Sequence, residues 1–270
     1  MAVSGLVLLA ILKPAIPESK AVLLKLLAIA VFGIVGTQVS YLVAIQYSNA
    51  PTATLLQFLF LPMVAVYEAL TGTIRWSGRW SVTILFAVVG TLLLIGVFSG
   101  TGSFGILINP ISLIAGLLAA ASAAYYSLAS RSIVRAKGSW WLLTWSFVVG
   151  AVLTFPFGIQ SLFRHGSPSD FISGISIAAL VAFVVIFGTI LAFGLYLSGL
   201  RYLPATEMGV IASLEPIAAS VAAFVFLGNI LNPIQYLGGS IIILAVIMVA
   251  SKTADTGPRD KIRPHGNIQE

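Results

Sequence analysis

The sequence contains no cysteine and very little charge. The missing thiols exclude disulfides, thiolate catalysis and cysteine-based metal sites. Charged residues make up only 8% of the 270 residues, against roughly 25% in an ordinary soluble domain. The two histidines, His165 and His265, lie far apart and lack the spacing of a metal site. We therefore expect neither a metal nor a cofactor.

Hydrophobic residues, in contrast, make up 59% of the chain. They form nine apolar segments, separated by Gly, Pro, Ser or charged residues, at 1–12, 22–47, 51–70, 80–98, 110–130, 140–162, 175–200, 204–227 and 233–251. All but the first are long enough to cross a hydrocarbon core of about 30 Å as helices. An all-α, polytopic membrane protein is predicted.

The first segment is too short to span, since 12 residues rise only about 18 Å as a helix. A signal peptide is disfavoured because Lys13 follows the apolar run instead of preceding it. A re-entrant or interfacial segment is one alternative. We favour another, in which the chain begins partway through a membrane helix.

Basic residues indicate the orientation. If the segments alternate across the membrane, one side carries thirteen of the fourteen Lys and Arg residues and the other only Arg164. The positive-inside rule makes the basic side, and with it the C-terminus, cytoplasmic. The net charge of +6 does not indicate nucleic acid, because the basic residues lie between apolar runs and not on one soluble face.

An internal repeat relates two parts of the chain. Tyr47 and Tyr202 each end an apolar segment and lie 155 residues apart, and Pro62 and Pro216, within the next segments, lie 154 apart. Further matches are Gly36-Thr37 and Gly90 in the first copy, and Gly188-Thr189 and Gly239 in the second. Two segments precede the second copy, but only the stub precedes the first. A complete plan would have ten spans, five in each copy, and an odd number makes the copies inverted, as is common in secondary transporters.

The residues of this repeat resemble a known family. They are GLRYLPATEMGVIASLEPIAASVAAFVFLGNILNPIQYLGGSIIILAVIMV at 199–249, VAIQYSNAPTATLLQFLFLPMVAV at 43–66 and the following GTLLLIGV. This pattern resembles the drug/metabolite transporter superfamily and, within it, the bacterial EamA-domain transporters. The resemblance implies two inverted EamA-type repeats, alternating access through a central cavity, and no catalytic residue. The sequence departs from the family at Asn229, where an acidic residue is usual, and in lacking the first helix and much of the second.

These observations predict four regions. They are an incomplete first repeat at 1–98, a connecting loop at 99–109, a second repeat at 110–251 and a disordered cytoplasmic tail at 252–270. About nine helices of a ten-helix plan are expected.

Acidic residues within apolar runs are costly in lipid and are candidates for function. Glu215 stands about 16 Å beyond Pro204 along a helix, near the bilayer midplane, beside Pro216. It is predicted to bind a proton or a substrate amine, with a helix-packing carboxylate as the alternative. Glu207 is interpreted as a helix-end charge, and Glu68 as a side chain that snorkels to the interface.

Polar and aromatic side chains within the apolar segments are candidates for substrate contact. They are Gln38, Tyr41, Gln57, Tyr125, Tyr126, Trp145 and Thr189. Ligand sites combine apolar walls with a few placed polar groups, and the alternative for each side chain is an interhelical hydrogen bond.

The predicted function is secondary transport, not enzymatic catalysis. The chain has no nucleotide-binding phosphate loop. We expect it to move a small metabolite or drug-like molecule across a bacterial inner membrane, by export, with proton coupling, lipid as its surroundings and no nucleic-acid partner. The alternative is a non-transporting fragment, a membrane-embedded structural protein or an enzyme.

Overall fold

The structure is a computed structural model that describes residues 2–74, 76–94, 109–165, 177–218, 221 and 232–255. All regular structure in these ranges is helical. The elements are α1 (Ala2–Leu12), α2 (Lys20–Ala28), the π-helix π1 (Ile29–Val35), α3 (Gly36–Gln46), α4 (Ala50–Phe58), α5 (Phe60–Leu70), α6 (Gly78–Leu94), α7 (Pro110–Lys137), α8 (Ser139–His165), α9 (Ile177–Phe183), the π-helix π2 (Val184–Leu191), α10 (Ala192–Tyr202), α11 (Ala205–Ala212) and α12 (Pro233–Asp255).

Each of the nine predicted apolar segments contains helix, which confirms the all-α membrane fold. Among the described residues, four helical stretches are long and apolar enough to cross a membrane, namely Lys20–Gln46, Thr52–Leu70, Pro110–Lys137 and Val181–Tyr202. Shorter apolar helices lie at Ala2–Leu12, Gly78–Leu94, Ser139–Phe155 and Pro233–Val249. The predicted loop, apart from Asn109, and the predicted tail beyond Asp255 lie outside the described residues, as does Asn229. Within the predicted tail, α12 continues to Asp255.

Helix α7 corrects one predicted boundary. The basic stretch from Arg131 to Lys137 was expected to form a loop, but it forms the last two turns of this 28-residue helix. Arg and Lys are good helix formers, and cations in a last turn are stabilised by the helix dipole. The helix ends at Gly138, whose φ of 92° suits glycine.

Local signals explain where three of the helices begin. The side chain of Ser19 accepts a hydrogen bond from the Val22 amide at the start of α2. Asn49 does the same for Thr52 at the start of α4. Asn109 forms a capping box at the start of α7, where Pro110 occupies the first turn. Such residues are favoured because they satisfy otherwise unpaired amides of the first turn.

Two of the long apolar spans are interrupted by π-helix at corresponding places. π1 begins at Ile29 and π2 at Val184, 155 residues later, the same separation as between Tyr47 and Tyr202. Gly33 is the fifth residue of π1 and Gly188 the fifth of π2. Gly33, and not Gly36, therefore occupies the place in the first span that Gly188 has in the second. π-helical turns within α-helices are often found at functional sites.

The chain divides into two compact units. The first comprises residues 1–75 and 104–209, and α7 is its central helix, with α3, π1, α4, α5, α8 and α10 packed around it. Small residues on α7 permit this crowding. A Cβ at Gly116 would lie 2.5 Å from Leu56 Cβ, and a Cβ at Gly36 would lie 2.7 Å from the hydroxyl of Ser122 on α7.

The second unit comprises residues 76–103 and 210–270, and its main contact is between α6 and α12. The two helices run antiparallel. The guanidinium of Arg79 donates to the Met248 carbonyl at 2.8 Å, and the side-chain amide of Gln235 donates to the Leu94 carbonyl at 3.1 Å. Between these contacts the backbones meet at Gly90 and Gly238, where a Cβ on Gly238 would lie 2.7 Å from the Gly90 carbonyl oxygen.

Candidate functional site

Two apolar helices are broken near the prolines that the sequence analysis identified. The first break is at Leu59, between α4 and α5, and the second is the turn at Ser213 and Leu214, after which residues 215–218 are helical again. Each break begins three residues before a proline, Pro62 or Pro216. Proline lacks an amide hydrogen and collides with the carbonyl four residues earlier, which explains why both helices open on its N-terminal side.

Within the first unit, α5 and the first turns of α11 pack against each other. A Cβ at Gly209 would lie 2.8 Å from Leu61 Cδ1 and 3.3 Å from a ring carbon of Phe60, so glycine permits the approach. Further along the contact, Glu68 on α5 reaches Ala205 on α11. The start of α5 therefore contacts Gly209, and its end contacts Ala205, which comes earlier in the chain. The two helices run antiparallel.

Glu68 is the most heavily bonded buried side chain of this contact. Oε1 accepts a hydrogen bond from Arg131 Nη1 at 2.8 Å and one from the Ala205 amide at 2.9 Å. Oε2 accepts one from the Thr206 amide at 2.9 Å and one from the Thr206 hydroxyl at 2.7 Å. The residue is only 1% exposed. The prediction that Glu68 snorkels to the interface was therefore wrong, because the carboxylate caps α11 inside the protein.

The electrostatics of this cluster explain its burial. A buried carboxylate is tolerated when it is paired with a cation and its lone pairs are hydrogen-bonded. The N-terminal end of a helix carries a partial positive charge that stabilises an anion. Glu68 receives both kinds of support, from Arg131 and from the first amides of α11. Glu207 lies in the first turn of the same helix, which confirms its interpretation as a helix-end charge.

A row of polar side chains follows the same side of α7 toward Arg131. Tyr126 and Ser130 are one turn apart, as are Ser127 and Arg131, and the three uncharged residues of this row are buried. Ser127 shares a hydrogen bond of 2.7 Å with the hydroxyl of Tyr196 on α10. The hydroxyls of Tyr126 and Ser130 have no hydrogen-bond partner among the described residues. Leaving a buried hydroxyl unpaired is costly, which makes these two hydroxyls candidates for binding a further polar group.

Three predicted site residues lie on helices that pack against α7. Tyr41 on α3 shares a hydrogen bond of 2.8 Å with the hydroxyl of Thr54 on α4. Gln38 on α3 and Gln57 on α4 are half-buried. Together with Tyr126, they belong to the first unit and to elements in contact with one another.

The other predicted residues lie elsewhere. Tyr125 is 39% exposed and makes an edge-to-face contact with Phe32. The indole of Trp145 donates to the Ala15 carbonyl at 3.1 Å, and the hydroxyl of Thr189 donates to Val184 of its own span at 2.9 Å. Glu215 is exposed and is the first helical residue after the second break. The contacts of Tyr125, Trp145 and Thr189 are therefore made outside the set around Tyr126, and Glu215 belongs to the second unit.

Sequence reasoning missed Arg131, Ser127, Ser130 and Tyr196 as members of a polar cluster. Ser127 and Tyr196 are 69 residues apart, and Glu68 and Arg131 are 63 apart. The available signal was the position of Glu68 in an apolar run, where an ionisable residue needs a partner. Within the described residues, no group of His, Cys, Asp or Glu could hold a metal ion.

Comparisons with known proteins agree with this architecture. The EamA-like transporter family matches residues 110–251. A protein of Salmonella typhimurium strain LT2, described as the uncharacterized inner membrane transporter YicL, is 29% identical over 227 residues, which cover 84% of this chain and 73% of that protein.

A solved structure described as a crystal structure of a protein shares the fold. Its TM-score is 0.70 at 16% identity, over 92% of this chain and 84% of the other. Because the family match spans more than half of the 270 residues, the protein belongs to the EamA-like transporter family.

Proposed function

We propose that this protein is a secondary transporter that exports a small metabolite or drug-like molecule by alternating access. The observation that carries the proposal is the pair of helices broken three residues before Pro62 and Pro216. Discontinuous helices form the substrate and ion sites of many transporters, because their breaks offer backbone groups and charge to a ligand within the membrane. The unpaired hydroxyls of Tyr126 and Ser130, in the same unit as the first break, would supply polar contacts to that ligand.

The spacing of these features supports two inverted repeats, at 1–98 and 110–251. The π-helices begin 155 residues apart, and the breaks at Leu59 and Ser213 are 154 apart. The sequence repeat has the same spacing at its tyrosines and prolines. The antiparallel packing of α5 against the start of α11 is the arrangement expected of inverted copies.

An inner-membrane location with a cytoplasmic C-terminus fits the charge distribution. Thirteen of the fourteen basic residues fall on one side of the predicted topology, and YicL is described as an inner membrane transporter. The positive-inside rule assigns the basic side to the cytoplasm. By the same reasoning, the Glu68 cluster lies toward the cytoplasmic side, since Glu68 is followed by Arg75 and Arg79.

Among the candidate contacts, we propose that Tyr126 binds substrate together with Gln38, Tyr41 and Gln57. Replacing Tyr126 with phenylalanine removes an unpaired buried hydroxyl and leaves the ring against Phe193. We expect the thermal unfolding midpoint in detergent to stay the same or rise, because the hydroxyl that is removed makes no hydrogen bond to any of the described residues. For a substrate found by screening metabolite pools in proteoliposomes, KM should rise about fivefold or more, the value of roughly one hydrogen bond.

The neighbouring Tyr125→Phe variant is the matched control for this experiment. It makes the same chemical change on an exposed side chain of α7, so KM and the midpoint should both match the unaltered protein. A Tyr126→Phe variant with an unchanged KM would remove Tyr126 from the proposed binding set.

Glu215 is the proposed coupling residue, because it follows the second break directly. Replacing it with glutamine keeps its shape and removes its charge and its proton. In proteoliposomes, we expect Glu215→Gln to insert normally and to lose the acceleration of flux by a pH gradient. The same substitution at Glu18, which precedes α2 and is largely exposed, should leave the acceleration intact.

Flux measurements also test the proposed function itself. A preparation that shows no flux for any metabolite pool, with or without a pH gradient, would favour a non-transporting role. Gradient-dependent flux that survives Glu215→Gln would instead retain transport and make Glu215 a packing residue.

A further inference from the structure

A pocket with two basic side chains is lined by residues other than those of the site described above. Its volume is about 310 Å³, and it opens between the first turn of α8 and the last turn of α10, within the first unit. The residues that matter here are Lys137, Trp140, Trp141, Ser198, Arg201 and Tyr202. None of them belongs to the polar row on α7 or to the broken helices.

The two cations of the pocket are poorly neutralised. Arg201 is exposed and packs at 5.9 Å over the ring of Tyr202. No carboxylate pairs with it among the described residues. Lys137 pairs with Glu18 at 2.9 Å, but the side chain of Glu18 is 72% exposed, and such surface pairs are weak. The pocket therefore carries a net positive charge with a counter-charge that is easily displaced.

Packing holds the aromatic walls of the pocket in place. Trp140 lies directly on Gly194 of α10, where a Cβ would come within 2.6 Å of its ring. The indole of Trp141 donates to the Ala15 carbonyl at 2.7 Å. Because both rings are fixed by contacts outside the pocket, the cavity between them and the two cations exists before any ligand arrives.

The composition of the pocket selects its ligand class. Arg and Lys together favour phosphate over a neutral polar group, Arg by its planar fork and Lys as a point charge. Tryptophan and tyrosine beside basic residues at helix ends are typical of the membrane interface. Basic pockets between membrane helices on the cytoplasmic side bind phospholipid head groups. The first amides of α8 add donors, but the two side-chain cations carry the argument.

We propose that this pocket binds the phosphate group of an anionic molecule at the cytoplasmic interface of the membrane. Two sources of that chemistry are an anionic phospholipid head group and a soluble phosphate ester. The proposal does not depend on transport or on the substrate, since none of Tyr126, Ser130 and Glu215 lines the pocket.

The test uses the purified full chain in non-ionic detergent. The thermal unfolding midpoint is followed as phosphatidylglycerol, phosphatidylcholine, glycerol 3-phosphate or inorganic phosphate is added, and a ligand of the folded state raises the midpoint with concentration. We expect phosphatidylglycerol to raise it and phosphatidylcholine to have a much smaller effect. In the double variant Lys137→Gln with Arg201→Gln, the apparent affinity should fall about 30-fold, since each cation contributes roughly fivefold.

The control removes the same two charges outside the pocket. Lys20→Gln with Lys25→Gln alters exposed residues of α2 and should keep the affinity within about twofold of the unaltered protein. Glu18→Gln removes the carboxylate that competes for Lys137 and should tighten binding several-fold. Because this variant gains affinity, its result cannot come from misfolding.

The two ligand sources give different results. A shift with phosphatidylglycerol but not with the soluble phosphates identifies a lipid head group, whereas a shift with glycerol 3-phosphate alone identifies a soluble ester. The proposal is overturned if the pocket variant binds as tightly as the unaltered protein, or if both double variants weaken equally, since the effect would then be general surface charge.

Discussion

Replacing Glu68 with glutamine should destabilise the protein more than any other single removal of charge among its described residues. Glutamine keeps one acceptor oxygen but turns an NH₂ group toward donors from Arg131, Ala205 or Thr206. Leaving one member of a buried ion pair without its partner costs about 3 to 5 kcal/mol. We expect the thermal unfolding midpoint in detergent to fall by several degrees, at about 2 to 4 °C for each kcal/mol in a chain of this size.

Glu18→Gln is the matched control, because it makes the same change in an exposed ion pair with Lys137. Pairs of that kind contribute about 0.2 to 1 kcal/mol, so its midpoint should barely move. A second variant, Glu68→Leu with Arg131→Met, removes both charges and should recover part of the loss. Full recovery is not expected, since the amides of Ala205 and Thr206 would still lack an acceptor. Equal midpoints for Glu68→Gln and Glu18→Gln would contradict the buried-cap interpretation.

Gly238→Ala should be the most damaging glycine-to-alanine substitution among the described residues of the second unit. A Cβ at Gly238 would lie 2.5 Å from the Leu94 amide nitrogen and 2.7 Å from the Gly90 carbonyl oxygen. Both neighbours are backbone atoms, so no side-chain rotation can relieve the collision, and α6 must move away from α12. Overpacking typically costs about 1 to 3 kcal/mol, and a backbone collision should lie at the upper end.

The adjacent glycine provides the control. A Cβ at Gly239 would meet only the end of the Leu94 side chain, at 3.9 Å, an ordinary contact. Gly239→Ala should therefore leave the unfolding midpoint unchanged or raise it, because alanine is favoured over glycine within helices by about 0.5 to 1 kcal/mol. If the two alanine variants melt at the same temperature, the close approach of α6 and α12 is wrong.

Much of the fold was predictable because membrane helices have simple physical requirements. Length and hydropathy located all nine apolar segments, since a lipid-facing backbone must satisfy its own hydrogen bonds. The prolines also located the two breaks to within three residues, for the reason that each lacks an amide hydrogen. Charge was a poorer marker of helix ends, as Arg131, Arg135 and Lys137 show by continuing α7.

The candidate site was less predictable, because its contacts join distant parts of the sequence. The amides that Glu68 caps are 137 and 138 residues away from it, and no local pattern specifies that pairing. Tyr125 and Tyr126 illustrate the same limit on a smaller scale. The sequence makes them equivalent neighbours, but α7 turns one outward and buries the other, and only packing against π1 and α10 decides which.

The π-helices give both of their spans a tolerance for changes in length. A π turn holds roughly one residue more than an α turn. Each of Ile29–Val35 and Val184–Leu191 therefore contains about one residue more than an α-helix with the same number of turns. Loss of one residue there can return the segment to α-helix while Tyr41 and Tyr196, further along, keep facing their partners. The same loss beyond the π-helix would rotate those tyrosines by about 100°. In alignments with relatives, a one-residue gap at either segment is therefore compatible with an unchanged site.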